Sequence, residues 1–164
     1  MPRTVGVDAV DRRIVAALQR DGRRPFTSIG RELGLSEAAV RQRVARLQAA
    51  GIMQVVAVTD PMALGYQAIA MVGIRVDGRA RRQVAEAVAR LPEVSYLVLT
   101  AGSFDLLAEV VCRDNDHLLR LLSDDLAGIE GVRDTEAFMY LRLLKEAYTW
   151  SAAPAEGEAA ADAG

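Results

Sequence analysis

The chain of 164 residues is 51% hydrophobic and 26% charged, which fits one medium or two small globular domains. No apolar stretch approaches the roughly 20 residues that span a bilayer, so we expect no membrane association. Residues 1–8 lack the apolar centre of a signal peptide, and the single cysteine, Cys112, excludes an intramolecular disulfide. We therefore expect a cytoplasmic protein.

Positive charge is concentrated in the first third of the chain. Residues 1–50 contain ten arginines against five acids, whereas residues 51–164 contain ten basic and seventeen acidic residues. The net charge of −2 therefore divides into +5 and −7. This asymmetry favours a polyanionic partner for the N-terminal part, although chance clustering in an arginine-rich proteome would give the same count.

Three short helices are predicted in the N-terminal part from apolar residues at helical spacing. Asp8 or Asp11 lies near the positive end of the first helix, and Thr27 is predicted to N-cap the second. The second helix is predicted to end at Gly34, and Ser36 to cap the third. This short turn containing glycine is typical of a helix-turn-helix. The predicted helices span 10–20, 27–33 and 37–50.

The pattern changes after Gly51. Residues 52–58 are rich in β-formers and predict a strand, and 60–65 predict a turn and connector. Farther along, the apolar period alternates between two and 3.6, which predicts the order βαββαβ of the ferredoxin-like split motif. The strands are predicted over 66–76, 94–100, 106–112 and 135–144, and the helices over 79–91 and 115–127.

These patterns together predict an α+β fold in four segments. A winged helix-turn-helix domain spans 1–52, and a linker strand with its connector spans 53–65. The ferredoxin-like domain spans 66–150. The tail 151–164 is rich in alanine, glycine and glutamate, and we expect it to be disordered.

Both faces of the last predicted strands are apolar, although a sheet with helices on one side needs only one apolar face. Val94, Tyr96 and Val98 are predicted on one face of their strand, with Leu97 and Leu99 on the other. The surplus apolar face favours cover by the sheet of a second subunit. Cover by the linker strand of the same chain is the alternative.

Four stretches of this sequence match a known family. They are 11–23 (DRRIVAALQRDGR), 34–36 (GLS), 44–52 (VARLQAAGI) and 100–107 (TAGSFDLL). The last resembles a glycine-x-x-aspartate turn, with Gly102 and Asp105 in register. Over 7–150 the chain resembles the Lrp/AsnC family of feast/famine transcriptional regulators. The resemblance implies double-stranded DNA as a partner, a homodimer that often assembles to an octamer, and a small-molecule effector bound between dimers.

The third predicted helix is the candidate recognition helix. If its apolar stripe faces inward, Ala38 and Gln42 face outward and Arg41 and Arg46 flank them, which suits base reading in the major groove. Arg43 lies nearer the buried side and is predicted to reach a phosphate. A solvated arginine-rich face is the alternative. Further phosphate candidates are Ser36, Arg31, Arg23 and Arg24.

The predicted hairpin turn offers amides and a carboxylate to an amino-acid effector. Asp105 suits an α-ammonium, and Thr100 with amides near Gly102 suits an α-carboxylate. Alternatively the turn is structural, with a positive φ at Gly102 and Asp105 capping amides. The predicted effector site comprises Leu99, Thr100, Ala101, Gly102, Ser103, Phe104 and Asp105, with Thr135 or Glu136 from a facing subunit.

Catalytic chemistry has little support in the sequence. The single histidine, His117, is predicted to be a solvated capping residue, and Cys112 is predicted to pack in the core or an interface. No cluster has metal-ligand spacing and no phosphate loop is present, so we expect no catalytic residue, metal or cofactor. The alternatives to a regulator are a ligand-binding module whose helix-turn-helix only docks protein, and a small enzyme on a ferredoxin-like scaffold.

Overall fold

The computed structural model describes residues 6–145. Within this part the chain divides into two compact units, one up to Ala57 and one over Val58–Leu144. The predicted tail 151–164 and the last residues of the predicted segment 66–150 lie outside the described residues.

The first unit contains three helices around a small apolar core. They are α1 (Ala9–Arg20), α2 (Phe26–Leu33) and α3 (Glu37–Ala49). Ile14, Ile29, Val40, Val44 and Leu47 are buried, as their helical spacing predicted. The three predicted helices are therefore confirmed.

The helix ends follow local sequence with one exception. Asp8 N-caps α1 in a capping box with Asp11, and the Ser36 hydroxyl caps α3 by accepting a hydrogen bond from the Ala39 N–H at 3.2 Å. Gly34 ends α2 with φ of 69°, the left-handed conformation that favours glycine. The predicted N-cap at Thr27 is wrong: α2 begins at Phe26 after Pro25, whose fixed φ suits a helix start without a side-chain cap.

The strand predicted over 52–58 does not form. Residues 53–60 have no regular secondary structure, and the side chains of Val55, Val56 and Val58 are exposed. A strand needs a neighbouring strand for its backbone groups, and none pairs with this segment in the described part of the chain. β propensity alone therefore does not produce a strand in this segment.

The second unit has the predicted βαββαβ order and ferredoxin-like topology. Its four strands form one antiparallel sheet in the order β2-β3-β1-β4. A π-helical segment, Leu121–Leu126, continues α5. The elements are β1 (Ala68–Val76), α4 (Arg81–Val88), β2 (Val94–Leu99), β3 (Leu106–Cys112), α5 (Asn115–Arg120) and β4 (Val132–Met139).

One face of this sheet packs on the helices and forms the core. Val72 and Ile74 of β1 and Leu106 of β3 lie fully buried beneath Val84 of α4 and Leu121. Cys112 is also buried there, which confirms its predicted packing role. Burial raises the pKa of the Cys112 thiol, so it stays protonated and unreactive at neutral pH.

The faces of β2 differ from the prediction. The pairing register shifts between Val94 and Tyr96, so that Val94 and Leu97 both pack against the core. A β-bulge breaks the strict alternation of side chains, and Leu99, opposite the buried Leu106, falls on the helix side with them. Tyr96 remains on the opposite face.

The other sheet face, here called the open face, is largely apolar and uncovered within the unit. Tyr96 and Phe138 are 54% and 46% exposed on it, Met71 lies between them, and Leu107 lies on the same face one row along the sheet. A polar pair interrupts it: the Tyr140 hydroxyl donates to Glu109 at 3.0 Å. Burial, together with this bond, raises the pKa of Tyr140 to about 12. Leu141 and Leu143, predicted within the last strand, lie beyond its end at Met139 and are exposed.

Candidate functional site

The outward face of α3 carries small and polar side chains. Ala38, Arg41 and Gln42 are exposed, and the α3 N-terminus is capped by Ser36. The Arg41 guanidinium pairs with Glu37 one turn earlier and lies 5.5 Å from the ring centroid of Phe26. These contacts extend the arginine along the helix surface without burying it, since its side chain keeps 64% exposure. The face thus presents long donors beside small residues.

Arg43 and Arg46 are directed differently from Arg41. Arg43 Nη1 lies 2.6 Å from Asp8 Oδ2 and 2.8 Å from Asp11 Oδ1, and Arg46 Nη2 lies 2.5 Å from Asp11 Oδ2. Arg46 also donates to the carbonyl of Gly6 at 3.1 Å. The sequence predicts that both arginines contact DNA, whereas the structure places their guanidinium groups on the start of α1. We call these four charged residues the acid–arginine cluster.

Asp11 is the centre of the cluster and is fully buried. Burial alone would raise the pKa of its carboxyl, but hydrogen bonds from Arg46, the Asp8 N–H and Arg43 outweigh it and lower the pKa to about 2. Asp8 is exposed, and its pKa is lowered mainly by the Arg43 hydrogen bond. Both acids are therefore ionised at neutral pH, and the cluster is electrically balanced.

The remaining arginines of this unit differ in their surroundings. Arg24 donates to Glu32 at 2.5 Å and to Ser28 at 3.4 Å. Arg23 and Arg31 are exposed, and neither side chain has a hydrogen bond or ion pair with another described residue. Of the arginines outside α3 that are predicted to contact phosphate, Arg23 and Arg31 are therefore the exposed ones.

The turn between β2 and β3, residues 100–105, is closed by its own hydrogen bonds. The Thr100 N–H donates to the carbonyl of Asp105 at 3.0 Å, and the Thr100 hydroxyl donates to that of Phe104 at 2.5 Å. Ala101, Gly102 and Ser103 are exposed at the tip. Gly102 does not have the positive φ expected for a purely structural turn. The glycine is therefore not required by the local backbone conformation.

Asp105 anchors the turn to neighbouring elements. Its Oδ2 accepts from the Val76 N–H at 2.9 Å and its Oδ1 accepts from Arg81 at 2.5 Å. The Val76 hydrogen bond is the main cause of the lowered pKa of this carboxyl, and Arg81 adds to it. Both carboxylate oxygens thus have partners at the ends of β1 and α4. The sequence predicts this anchoring role for Asp105 only under the alternative in which the turn is structural.

Phe104 lies against the sheet through contacts that the sequence did not predict. A Cβ on Gly73 would stand 2.7 Å from the Phe104 ring, so only glycine fits beneath it. Arg75 lies 4.4 Å from the centroid of that ring, donates to the Ser103 carbonyl at 3.1 Å and pairs with Asp134. The signal for this contact in the sequence is Gly73 itself, because a glycine inside a strand often marks a place where another group approaches the backbone closely.

The other predicted effector residues do not all meet in one chain. Leu99 and Thr135 lie on the helix side of β2 and β4, the two outer strands, whereas Glu136 lies on the open face 3.8 Å from Arg75. Strands lie about 4.8 Å apart, so three spacings separate Leu99 from Thr135 by roughly 14 Å. The structure brings Phe104 and Glu136 to one region, and it keeps Leu99 and Thr135 apart.

His117 is not a solvated capping residue. Its Nε2 lies 3.0 Å from Glu93, both side chains are less than one-fifth exposed, and the cap of α5 is Asp114. Across residues 6–145 no group of histidine, cysteine and acidic residues is arranged to hold a metal ion. Among the same residues, no helix combines the length and the apolar character needed to cross a membrane.

Comparisons with known proteins agree with this architecture. The family model of the AsnC-type helix-turn-helix domain matches residues 7–48, and that of the Lrp/AsnC ligand binding domain matches 69–150. An uncharacterized HTH-type transcriptional regulator of Pyrococcus abyssi is 35% identical over 147 residues, 89% of this chain and 93% of the relative. The HTH-type transcriptional regulator LrpA of Pyrococcus horikoshii is 32% identical over 85% of this chain and 99% of its own length.

Solved structures show the same fold. The leucine response regulatory protein LrpA of Mycobacterium tuberculosis matches with a TM-score of 0.78 and 28% identity, covering 85% of this chain and 95% of that one. A transcriptional regulator of Neisseria meningitidis, solved as a complex with L-Met, matches in fold with a TM-score of 0.77 and 24% identity, covering 88% and 96%. With both of its domains matched, this chain belongs to the Lrp/AsnC family of transcriptional regulators.

Proposed function

We propose that this regulator acts in the cytoplasm and reads DNA with the outward face of α3. The observation that supports this is the exposure of Arg41 and Gln42 beside the small Ala38 on a helix whose opposite side is buried. Arginine suits guanine O6 and N7, glutamine suits adenine N6 and N7, and alanine permits close approach. Ser36, Arg23, Arg24 and Arg31 are the proposed phosphate contacts.

A mobility-shift titration tests this proposal. The purified chain is titrated against duplexes from the region upstream of its own coding sequence and against a scrambled duplex of equal length. We expect at least one upstream duplex to bind far more tightly than the scrambled one, since specific sites typically exceed nonspecific ones by about 10³-fold or more. Equal affinity for all duplexes would contradict sequence-specific reading.

We further propose that an amino acid is the effector and binds at the turn 100–105 between subunits. The turn supports this proposal with exposed backbone at Ala101, Gly102 and Ser103 and with open space, since a Cβ at Gly102 would meet nothing within 4 Å. Because both oxygens of Asp105 are already engaged, we assign Asp105 the role of holding the turn. Phe104 and a facing subunit's Glu136 or Thr135 complete the proposed site. No metal or other cofactor, and no catalysis, is part of this proposal.

Replacing Gly102 by valine is expected to weaken effector binding strongly while preserving the fold. The substitution has room and needs no positive φ, so stability should stay near that of the wild type. Its side chain would occupy the space in front of the turn amides and weaken the best amino-acid ligand by about tenfold or more in calorimetry. Gly78→Val, which also has room in the same unit, is the control. Wild-type affinity in Gly102→Val would place the effector elsewhere.

We propose a homodimer formed through the open face, with octamers as a further assembly. The open face supports this, since Tyr96 and Phe138 expose large apolar surfaces that water disfavours. Light scattering should give twice the 17.7 kDa chain mass or a multiple of that value. Tyr96→Asp should shift the mass towards one chain, whereas Gln83→Asp on the exposed side of α4 should not. A wild-type protein of single-chain mass would contradict the proposal.

A further inference from the structure

We infer that Asp8 and Asp11 are specificity-determining residues, which hold Arg43 and Arg46 against α1 and so keep two cations of the recognition helix off the DNA backbone. This inference rests on the proposed function, in which α3 reads DNA. It reverses the roles that sequence reasoning gave to both arginines. The acids would then limit how tightly the protein binds DNA of any sequence.

The geometry of the acid–arginine cluster carries the inference. Arg43 bridges two carboxylates at 2.6 and 2.8 Å, and Arg46 is held by the fully buried Asp11 and by the Gly6 carbonyl. The two arginine side chains are 30% and 39% exposed, against 64% for Arg41. Asp11 and the arginines are more than 30 residues apart in sequence, so the cluster forms only when α1 packs on α3. Arg43 and Arg46 are thus fixed in place before any DNA arrives.

The location of the cluster makes this restraint relevant to DNA. Asp8, Gln42, Arg43 and Arg46 line one shallow cleft of about 320 Å³ on the surface of the first unit. Gln42 belongs to the proposed base-reading face, so the held guanidinium groups lie beside the groups that read sequence. From the same positions, arginines without acid partners could extend to the phosphates that flank the groove.

Counterion release gives the restraint a measurable consequence. Each additional phosphate contact steepens the slope of log K against log salt by about 0.9 and strengthens binding to every sequence alike. Two carboxylates facing two guanidinium groups cancel this attraction locally, which leaves discrimination to Arg41 and Gln42. A merely structural ion-pair cluster would affect stability and leave the salt slope unchanged. The slope therefore separates the two roles.

Asp8→Asn in the full-length protein is the test, because asparagine remains a good N-cap and Asp8 is exposed, so the fold should survive. Binding to a scrambled duplex is measured across KCl concentrations. Arg43 then keeps only Asp11, which it shares with Arg46, so one cation per subunit lacks a carboxylate of its own and we expect the slope to steepen by up to about 0.9 for each subunit that contacts DNA. Arg43→Gln alone should leave the wild-type slope unchanged, and adding it to Asp8→Asn should restore that slope. Asp21→Asn is the control, because it removes an equal charge from an acid whose side chain, among the described residues, accepts from the Arg23 N–H and from no arginine side chain.

Three results would overturn the inference: an unchanged slope in Asp8→Asn, an equal steepening in Asp21→Asn, or a loss of about 0.9 per subunit in Arg43→Gln alone, which would show that Arg43 already contacts phosphate. A wild-type protein that binds no duplex would instead refute the proposed function. In that case a gain of binding by Asp8→Asn would still support the inference that the acids restrain the arginines. No gain of binding would refute that inference together with the proposed function.

Discussion

Replacing Arg41 by alanine is expected to weaken binding to the cognate site by about 1–3 kcal/mol and to relax preference at one base pair. The same range is expected for Gln42→Ala at a neighbouring base pair. Arg41 must exchange its pairing with Glu37 for a base edge, and this exchange costs little because exposed helix pairs contribute only about 0.3–0.5 kcal/mol. Titrations against the upstream duplex that binds most tightly, and against its single-base variants, measure both effects.

The chain offers a matched control for this pair. Arg82 and Gln83 repeat the same two residue types in sequence on α4, where both are exposed. Arg82→Ala and Gln83→Ala should leave both affinity and base preference unchanged. If the α3 and α4 substitutions had equal effects, or if the base preference survived in both α3 variants, α3 would not be the reading helix.

Replacing Asp11 by alanine is expected to destabilise the first unit by about 2–4 kcal/mol, because two guanidinium groups lose their buried partner. The ordinary pKa of 3.8 falls to about 2 in the folded unit, so ionised Asp11 contributes about 2 kcal/mol. This contribution is fully present above about pH 5. It is lost as the pH falls through the folded value, because the folded carboxyl is then protonated as well.

Chemical denaturation followed by circular dichroism at several pH values measures this effect. Wild-type stability should decline by about 2 kcal/mol more than that of Asp11→Ala between pH 5 and pH 2. Asp21→Ala is the control, since that carboxylate caps a backbone N–H and has no arginine partner among the described side chains. If Asp11→Ala were no less stable than Asp21→Ala, the cluster would not hold α1 on α3.

The sequence predicted those features that depend on near neighbours in the chain. The turn at Gly34, the cap at Ser36 and the position of β1 all arise from residues within a few positions of one another. The order of elements in the second unit followed from the change of apolar period. For the same reason the family resemblance could be found before any contact was known.

Features that depend on contacts between residues far apart in the sequence were either not predicted or predicted wrongly. The acid–arginine cluster joins residues 35 positions apart, and a helical projection of α3 alone cannot show Arg46 turning towards α1. The bulge in β2 reverses the face of Val94 although the sequence alternates regularly. The strand predicted over 52–58 had suitable residues but no neighbouring strand to pair with in the described part of the chain.

Footprinting on the upstream region, with and without each amino acid that binds in calorimetry, tests whether this regulator reads a defined DNA sequence in response to an amino acid. We expect a protected segment of defined sequence whose half-saturating protein concentration or length changes when one amino acid is added. Such a change requires the ligand to bind the DNA-bound and free assemblies with different affinities. The absence of a protected segment at any protein concentration, or protection that no amino acid alters, would contradict it.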